Sequence, residues 1–330
     1  MLACDIGFVL ISRALSVGKL SLLPPHWFLE LNSDKCLKED ELSLNDWIDT
    51  ISQFPFYSDI TIGGFDPTKR EDFCDILSFA SKKTFSKVKL ITNAKSLNQK
   101  VIDSIIDNKV QLLTVTMDKF PSKTAVSNLS NLYKSCVDKK SNITVEIQTK
   151  ILKNNIEDLL KIYEYATNNG FEYFSLLFEK NNDLQHNFDL SDTFGKKFYS
   201  QNYPIEPYFD MEKLEKVYVE LNKLKKYSKT KIRFLPDFKD FESIKTFFDS
   251  KDKDVKEIYE PCNYPYTNLT INPMGNIYPC LSYKMGNVKE NNLKDILKSK
   301  NYRIFMRHLK NRKLFSSCSM CQELKIKEQK

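Results

Sequence analysis

The chain alternates between short apolar runs of strand length and longer amphipathic stretches of helix length. Between residues 27 and 178 six apolar runs are separated by five stretches whose apolar residues recur with helical spacing. Six such strands in a repeated β-α pattern predict one parallel sheet with right-handed crossovers, curled into a partial or full barrel. The functional face of such a barrel lies at the carboxyl ends of its strands. The six strand-like runs are WFLEL, DITIGG, KVKLITN, QLLTVTMD, ITVEIQTKI and FEYFSLLF.

The pattern changes after residue 180. Residues 181–207 are polar with scattered aromatics and predict a loop, and the helix-like MEKLEKVYVELNKLKKYS, the strand-like KIRFL and the helix-like FESIKTFF follow. Two short strand-like runs, TNLTI and NIYP, then flank NPMGN, where Pro273 and Gly275 predict a hairpin turn. Four segments are therefore predicted: an apolar amino-terminal segment (1–24), a β/α core (25–180), a loop and helical connecting region (181–255) and a cysteine-rich carboxyl-terminal domain (256–330).

Composition and charge point to a globular protein without a dedicated nucleic-acid surface. Of 330 residues, 41% are hydrophobic and 28% charged, which is enough to bury a large core. The net charge of +7 arises from 50 basic against 43 acidic residues, and the lysines are spread along predicted helices. This distribution is typical of solvated helix faces, so it argues against a nucleic-acid partner.

The apolar amino terminus raises the question of export. Asp5 interrupts the apolar run, no basic segment precedes it, and Arg13 and Lys19 follow, so both a signal peptide and a membrane span fit poorly. We therefore expect a cytoplasmic protein without a membrane partner. In that compartment the eight cysteines are reduced thiols or metal ligands rather than disulfides.

Four cysteines are placed to converge. Cys318 and Cys321 are two residues apart, so one tight turn presents both thiolates, while Cys262 and Cys280 stand at the two ends of the predicted hairpin. Four sulfurs can hold either a zinc ion or an iron-sulfur cluster, and the spacing alone leaves both open. Four unrelated buried thiols are the simpler alternative.

This region resembles the carboxyl-terminal SPASM/twitch region of radical S-adenosylmethionine enzymes. The resemblance rests on Cys262, Gly275, Cys280, the GN pair at 286–287, NLKDILKSKNYRIFM and CSMC. It implies an auxiliary 4Fe-4S cluster held by Cys262, Cys280, Cys318 and Cys321. The final QELKIKEQK contains no further cysteine, so the shorter form with one cluster is implied. The fold class expected from the whole chain is α/β, a radical-SAM-like partial (β/α) barrel with a small cysteine-rich domain.

Three strand ends in the core resemble the same family. DITIGGFDP is similar to its GGxEP stretch, LITNAK to TNG, and VTMDKF to SxDG. Each alone is equally typical of a β-α loop with a helix cap, but the three occur in the family's order. The resemblance implies contacts to S-adenosylmethionine from Gly63, Gly64, Asp66, Thr92, Asn93, Thr116 and Asp118.

The family's three-cysteine CxxxCxxC loop has no full counterpart. The first strand leads to Cys36, but Asp40 and Ser43 occupy the other two cysteine positions. One thiolate does not hold a cubane, and recruitment of Cys4 or Cys74 requires a rebuilt loop. The catalytic cluster site is therefore predicted to be degenerate.

The sequence predicts an iron-sulfur protein with one auxiliary cluster, related to enzymes that modify peptides or small molecules by radical chemistry, with the catalytic cluster lost and at most weak binding of S-adenosylmethionine. Two alternatives stay open. One is an active radical S-adenosylmethionine maturase with an unusual first loop or an altered gene start, and the other is a zinc-binding interaction module. The partners implied are a peptide or small-molecule substrate, or a partner enzyme.

Overall fold

The structure is a computed structural model. It describes residues 23–34, 37–85, 88–178, 209–249, 255–280, 283–315, 318, 321 and 323–327. Nearly all of the apolar amino-terminal segment, the predicted loop at 181–207, Cys4 and Cys36 lie outside the described residues.

The described residues form one ten-stranded sheet in the order β10-β9-β8-β1-β2-β3-β4-β5-β6-β7. Strands β1 to β7 are parallel, and β8 pairs parallel with the free side of β1. Only β9 and β10 run antiparallel to their neighbours. The predicted parallel β/α architecture is confirmed. The strands are β1 His26–Glu30, β2 Asp59–Gly63, β3 Lys89–Thr92, β4 Leu112–Thr116, β5 Thr144–Lys150, β6 Tyr173–Leu177, β7 Lys231–Leu235, β8 Asn268–Ile271, β9 Asn276–Tyr278 and β10 Gly286–Asn287.

Helices follow the strands as the periodicity predicts. Several begin at a polar cap, for example at Asn98 and Ser122, whose side chains accept a backbone hydrogen bond from the first turn. The helices are α1 Leu44–Ser52, α2 Phe73–Lys83, α3 Gln99–Asp107, α4 Lys123–Asp138, α5 Leu159–Asn168, α6 Met211–Leu224, α7 Phe241–Asp249, α8 Val255–Ile258, α9 Tyr264–Thr267, α10 Leu293–Lys298 and α11 Lys300–Arg312.

The two faces of the parallel sheet differ in chemistry. On one face, side chains such as Trp27, Ile62 and Leu113 are buried in a single apolar cluster with the inner faces of the helices. Residues two apart along a strand share a face, so the intervening residues line the opposite, concave face. That face carries polar side chains, among them Thr114 and Glu146, which are hydrogen-bonded to each other. The sheet therefore offers a polar surface opposite its helical layer.

Two strands that the sequence places outside the core belong to the same sheet. KIRFL is β7, which pairs with β6 and continues the parallel order, and the first hairpin strand is β8, which pairs with β1. The hairpin turn also touches the first β-α loop, because the Leu42 backbone N–H donates to the Pro273 carbonyl at 2.7 Å. Gly275 adopts φ +85° in this turn, and a Cβ there would lie 3.0 Å from a Leu42 methyl carbon. The cysteine-rich region is thus joined to the first strand and first loop of the barrel.

No helix within the described residues is both long enough and apolar enough to cross a membrane.

Candidate metal centre and strand-end site

The Cys318–Cys321 turn is built so that backbone amides point at both sulfurs. Phe315 N–H donates to Cys318 Sγ at 3.3 Å, and Glu323 N–H donates to Cys321 Sγ at 3.4 Å. The turn closes through Cys321 N–H, which donates to the Cys318 carbonyl at 2.9 Å. Hydrogen bonds to sulfur favour the thiolate, which is the form that binds metals.

The other two cysteines are positioned by separate elements. Cys262 precedes α9, and its N–H donates to the carbonyl of Lys313 at 3.3 Å. Lys313 ends α11 with φ +65°, a left-handed conformation that turns the chain toward the Cys318–Cys321 turn. Cys280 follows β9, and its carbonyl accepts from Tyr283 N–H at 3.0 Å. Three chain segments therefore deliver the four thiols.

The four thiols are close enough to interact electrostatically. Burial raises the pKa of Cys318 well above its ordinary value, and the neighbouring Cys262, Cys280 and Cys321 raise it further. The pKa of Cys321 is raised in the same way, by burial first and then by Cys280 and Cys262. Four such groups do not ionise together without a cation to compensate them. The structure thus places the four predicted cysteines near enough to one another for their charges to interact.

A zinc ion and a cubane need different separations of their four thiolates. Among the described residues, no three His, Cys, Asp or Glu side chains are arranged to hold one metal ion. Thiolates on one zinc ion stand about 3.8 Å apart, as tetrahedral bonds of about 2.3 Å require. A cluster of four irons is larger and separates its thiolates further.

Aromatic side chains pack in the segments that carry the thiols. Tyr283 stacks on Phe305 with ring centroids 4.8 Å apart, and Phe305 contacts Phe315 at 5.5 Å. Tyr264 lies near the thiols, since its pKa is raised first by burial and then by nearby charges that include Cys321 and Cys280. Cys318 is buried, whereas Cys262, Cys280 and Cys321 are partly exposed.

The strand ends of β2 and β3 are tied together by Asp66. Its side chain is fully buried, and Oδ1 accepts from Thr92 Oγ1 and Thr68 Oγ1, each at 2.8 Å. Its second oxygen, Oδ2, is buried and accepts no hydrogen bond from the described residues. Two of the predicted cofactor residues, Asp66 and Thr92, are therefore in direct contact, and one acceptor between them is unfilled.

Asn32 holds the glycine-rich loop from the first strand end. Its side chain donates to the Asp66 carbonyl at 2.7 Å and accepts from Asp66 N–H at 3.1 Å. Gly64 adopts φ +122°, and a Cβ there would stand 2.6 Å from the Asn32 carbonyl oxygen. Only glycine fits this approach of two backbones. Sequence reasoning missed Asn32, whose role depends on a contact 34 positions away.

The remaining predicted residues divide into two groups. Thr116 Oγ1 donates to the Thr92 carbonyl at 3.4 Å. This bond connects the end of β4 to the hydrogen-bonded pair Asp66 and Thr92. Asn93 instead accepts from Lys95 N–H at 3.0 Å within its own turn. Asp118 accepts from Lys150 N–H at 3.0 Å and supports the loop after β5. The structure brings together Gly63, Gly64, Asp66, Thr92 and Thr116, whereas Asn93 and Asp118 use their side-chain oxygens locally.

In the first loop, the two residues at the family's cysteine positions have other surroundings. Ser43 caps α1: its Oγ accepts from Asp46 N–H at 3.2 Å, and Asp46 accepts from Ser43 N–H at 2.9 Å. Asp40 is exposed in a short 3₁₀ turn. Neither side chain substitutes for a thiolate.

A clamp formed by Arg70 holds this loop. All five guanidinium N–H groups are used: one to the Leu31 carbonyl, one to the Leu42 carbonyl, one to Glu41 and two to Asp72, at 2.8–3.1 Å. Arg70 thus connects the loop after β2 to both ends of the loop after β1. Sequence reasoning did not identify it, because nothing in the local pattern separates a clamping arginine from a surface one.

Glu30, the last residue of β1, lies on the concave face opposite Gly63. Burial raises its pKa to about 7. Tyr278, which is two residues before Cys280, lies beside it, since the charge of Glu30 contributes to raising the Tyr278 pKa after burial. A carboxyl that titrates near neutrality therefore stands between the strand ends and the cysteine hairpin.

Comparison with known proteins bears on the cysteine-rich segment and on the fold. Residues 262–322 match the family model of SPASM, an iron-sulfur cluster-binding domain. No curated protein matches the chain in sequence. Among solved structures, the chain is similar to SuiB from Streptococcus suis bound to S-adenosylmethionine, with 15% identity and a TM-score of 0.61 over 89% of this chain and 70% of that one.

Two further structures extend this comparison. SuiB bound to its precursor peptide SuiA matches with 15% identity and a TM-score of 0.59, covering 94% of this chain and 73% of that one. The anSMEcpe protein with bound AdoMet and a peptide matches with 14% identity and a TM-score of 0.55, covering 90% and 87%. These likenesses establish the fold. The predicted resemblance to radical S-adenosylmethionine enzymes with a SPASM domain, and the partial-barrel fold class, are confirmed.

Proposed function

We propose that the chain is an iron-sulfur protein that holds one auxiliary 4Fe-4S cluster through Cys262, Cys280, Cys318 and Cys321, in a radical-enzyme fold that has lost its catalytic cluster site. The observation that carries the proposal is the convergence of four thiols, around buried Cys318, in a segment that matches an iron-sulfur domain.

The donor set fits such a cluster better than a zinc ion. Backbone amides point at the sulfurs of Cys318 and Cys321, as is common around cluster thiolates. The segment that carries the thiols also matches the model of an iron-sulfur cluster-binding domain. Both features support the cluster over the zinc-binding alternative.

When bound through four thiolates, a cubane has no open iron, so it supplies electron transfer or a rigid folding core rather than a site for substrate. The chain contributes an aromatic cluster of Tyr283, Phe305 and Phe315 in the segments that carry the thiols. The hairpin between Cys262 and Cys280 links this centre to the first loop of the barrel through Leu42 and Pro273.

Loss of the catalytic cluster follows from the first loop. Ser43 caps a helix, Asp40 faces solvent, and the Arg70 clamp connects both ends of the loop without a metal. In the described part of this loop no thiol is present. The strand-end residues can still contact part of S-adenosylmethionine, with exposed Gly64 presenting its backbone beside Gly63.

The polar concave face suits a peptide or other polar substrate, which the protein binds or presents to a partner enzyme. Two structures of this fold carry peptides: SuiB with the precursor peptide SuiA, and anSMEcpe with AdoMet and the Cp18Cys peptide. We infer binding rather than radical chemistry here, because the three-cysteine loop is incomplete.

Metal analysis after anaerobic purification tests the proposal. We expect about four irons and about four sulfides per chain. The double variant Cys318→Ala/Cys321→Ala should lose the visible absorbance, while the matched variant Cys136→Ala, a half-buried thiol on α4, should keep it. Stoichiometric zinc without iron after anaerobic reconstitution contradicts the proposal.

The second candidate is an active maturase, and the likeness to structures with bound S-adenosylmethionine is what favours it. It requires a second cluster, so about eight irons per chain would support it. A loss of four of them in Cys74→Ala would identify Cys74 as a recruited ligand.

A further inference from the structure

A half-exposed arginine stands on the concave face of the sheet. Arg233, on β7, has 42% of its side chain exposed, and its guanidinium carbon lies 3.3 Å from the centre of the Tyr173 ring on β6. This is close stacking, in which the ring fixes the plane of the guanidinium. The arginine is therefore pre-oriented rather than free to sweep through solvent.

The buried carboxylate of Glu146 lies next to the Arg233 guanidinium. Glu146, on β5, is 5% exposed, and Arg233 Nη1 lies 3.8 Å from its Oε1, near enough for charge attraction but too far for a hydrogen bond. The carboxylate oxygens are already used: Oε2 accepts from Thr114 Oγ1 at 2.9 Å and Oε1 accepts from Ser175 Oγ. Glu146 holds the arginine in place without occupying its donors.

The Arg233 donors are consequently unfilled. Within the part of the chain that the structure describes, no acceptor receives a hydrogen bond from its guanidinium. Arg70 offers an internal contrast, since all five of its N–H groups are bonded and only 10% of its side chain is exposed. Arg70 uses its donors within the protein. Arg233 presents its planar set of donors to a ligand on the concave face.

Its position separates it from the strand-end site. Thr116, Gln148, Ser175 and Arg233 are paired in one row across β4 to β7. At about 4.8 Å per strand, Arg233 lies about 14 Å along the sheet from Thr116. Arg233 is therefore placed to contact a substrate group about 14 Å away from the strand-end site at Thr116.

The neighbouring cation, Lys231, is an ammonium group and has no planar set of donors like that of Arg233. Lys231, two residues earlier on β7, pairs with Glu172 at 3.7 Å and is also within 5.4 Å of the Tyr173 ring centre. It adds positive charge without the planar fork. This makes Lys231 a matched control for Arg233.

We propose that Arg233 binds a carboxylate of a peptide substrate in a bidentate manner, with Tyr173 and Glu146 holding the guanidinium in place. Planar carboxylates match the guanidinium fork, and the surrounding hydroxyls and amides suit a polar chain. The inference rests on the proposed function and deepens it, by naming the chemistry of the substrate. Iron counting tests the proposed cluster but not the proposed contact between Arg233 and a carboxylate. Either proposal can therefore fail without the other.

A titration followed by NMR tests it. The Nε–Hε signal of Arg233 is assigned by its disappearance in Arg233→Lys, and the wild-type protein is titrated with the blocked peptide acetyl-Ala-Glu-Ala-amide and with its glutamine counterpart. We expect a saturable shift with the glutamate peptide, at millimolar affinity, and none with the glutamine peptide.

Two variants then distinguish bidentate binding by the guanidinium from attraction by positive charge alone. For the variants the titration is followed through the backbone amide signals of β6 and β7. Arg233→Lys should lower the affinity for the glutamate peptide about tenfold, whereas Lys231→Gln should change that affinity less than about threefold. Equal shifts with both peptides in the wild-type protein overturn the proposal, and that comparison does not depend on any variant folding. An equal loss in Lys231→Gln and Arg233→Lys also overturns it.

Discussion

Arg70 Nη1 donates to Glu41 Oε2 at 3.1 Å, and the two side chains are only 10% and 7% exposed. This pair joins the loop after β2 to the loop after β1, the segment that contains Asp40 and Ser43. Because Glu41 also accepts from Ser33 N–H at 3.0 Å, the clamp extends to the start of the loop. The protein itself thus makes the connections that fix the described part of the loop.

Removing the clamp should destabilise the protein. Arg70→Met leaves the carboxylates of Glu41 and Asp72 without their partner, and breaking a buried ion pair in this way costs about 3–5 kcal/mol. Urea unfolding measures the change in the free energy of unfolding. The adjacent exposed Lys69→Met is the control, and a loss below about 1 kcal/mol for Arg70→Met would show that the clamp is not structural.

Gly64 and Gly170 form a matched pair for backbone strain. Gly64→Ala sets a Cβ 2.6 Å from a carbonyl oxygen at φ +122°, so we expect a loss of about 3 kcal/mol or more. Gly170, at φ +69°, has nothing within 4 Å of a new Cβ, so Gly170→Ala should lose only about 1–2 kcal/mol. Thermal and urea unfolding of the two variants make the comparison, and equal losses would contradict the close approach at Asn32.

Glu30 should make stability depend on pH. Its folded pKa of about 7 lies above the ordinary 4.5, so between these values the folded state holds a proton that the unfolded state has released. Its contribution therefore becomes unfavourable as the pH rises from about 4.5, and reaches about 3 kcal/mol above pH 7. Glu30→Gln removes this penalty.

The measurement is the free energy of unfolding of Glu30→Gln relative to wild type from pH 4 to pH 8. We expect the variant to gain stability over the wild type across this range, with no gain below pH 4.5. The exposed Glu39→Gln is the control. If the difference in the free energy of unfolding between Glu30→Gln and wild type does not change with pH, Glu30 ionises normally in the folded protein.

The incomplete cysteine loop predicts no reductive cleavage of S-adenosylmethionine. Reconstituted protein incubated with dithionite and S-adenosylmethionine should yield no 5′-deoxyadenosine above background, because Cys36 alone does not hold a cluster with an open iron. Chromatography detects the product. Multiple turnovers that disappear in Cys36→Ala would instead establish the active maturase.

The sequence by itself determined the secondary structure and the convergence of the cysteines. Period-two and helical patterns are local, so the six strands of the β-α pattern and the hairpin between Cys262 and Cys280 follow from short stretches of chain. Two glycines also carried a conformational signal, since Gly64 and Gly275 both adopt positive φ where the motifs place them.

Only the tertiary structure decided which strand pairs with which at the sheet edges and which polar side chains are buried. KIRFL joins β6 and the hairpin joins β1 because their backbone donors find partners there, and strand periodicity does not encode the neighbour. Arg70 and Arg233 are the same residue type, yet among the described residues every guanidinium donor of Arg70 has an acceptor and no guanidinium donor of Arg233 has one. That difference, like the pKa of Glu30, comes from contacts between residues far apart in the chain, where burial and charge act together.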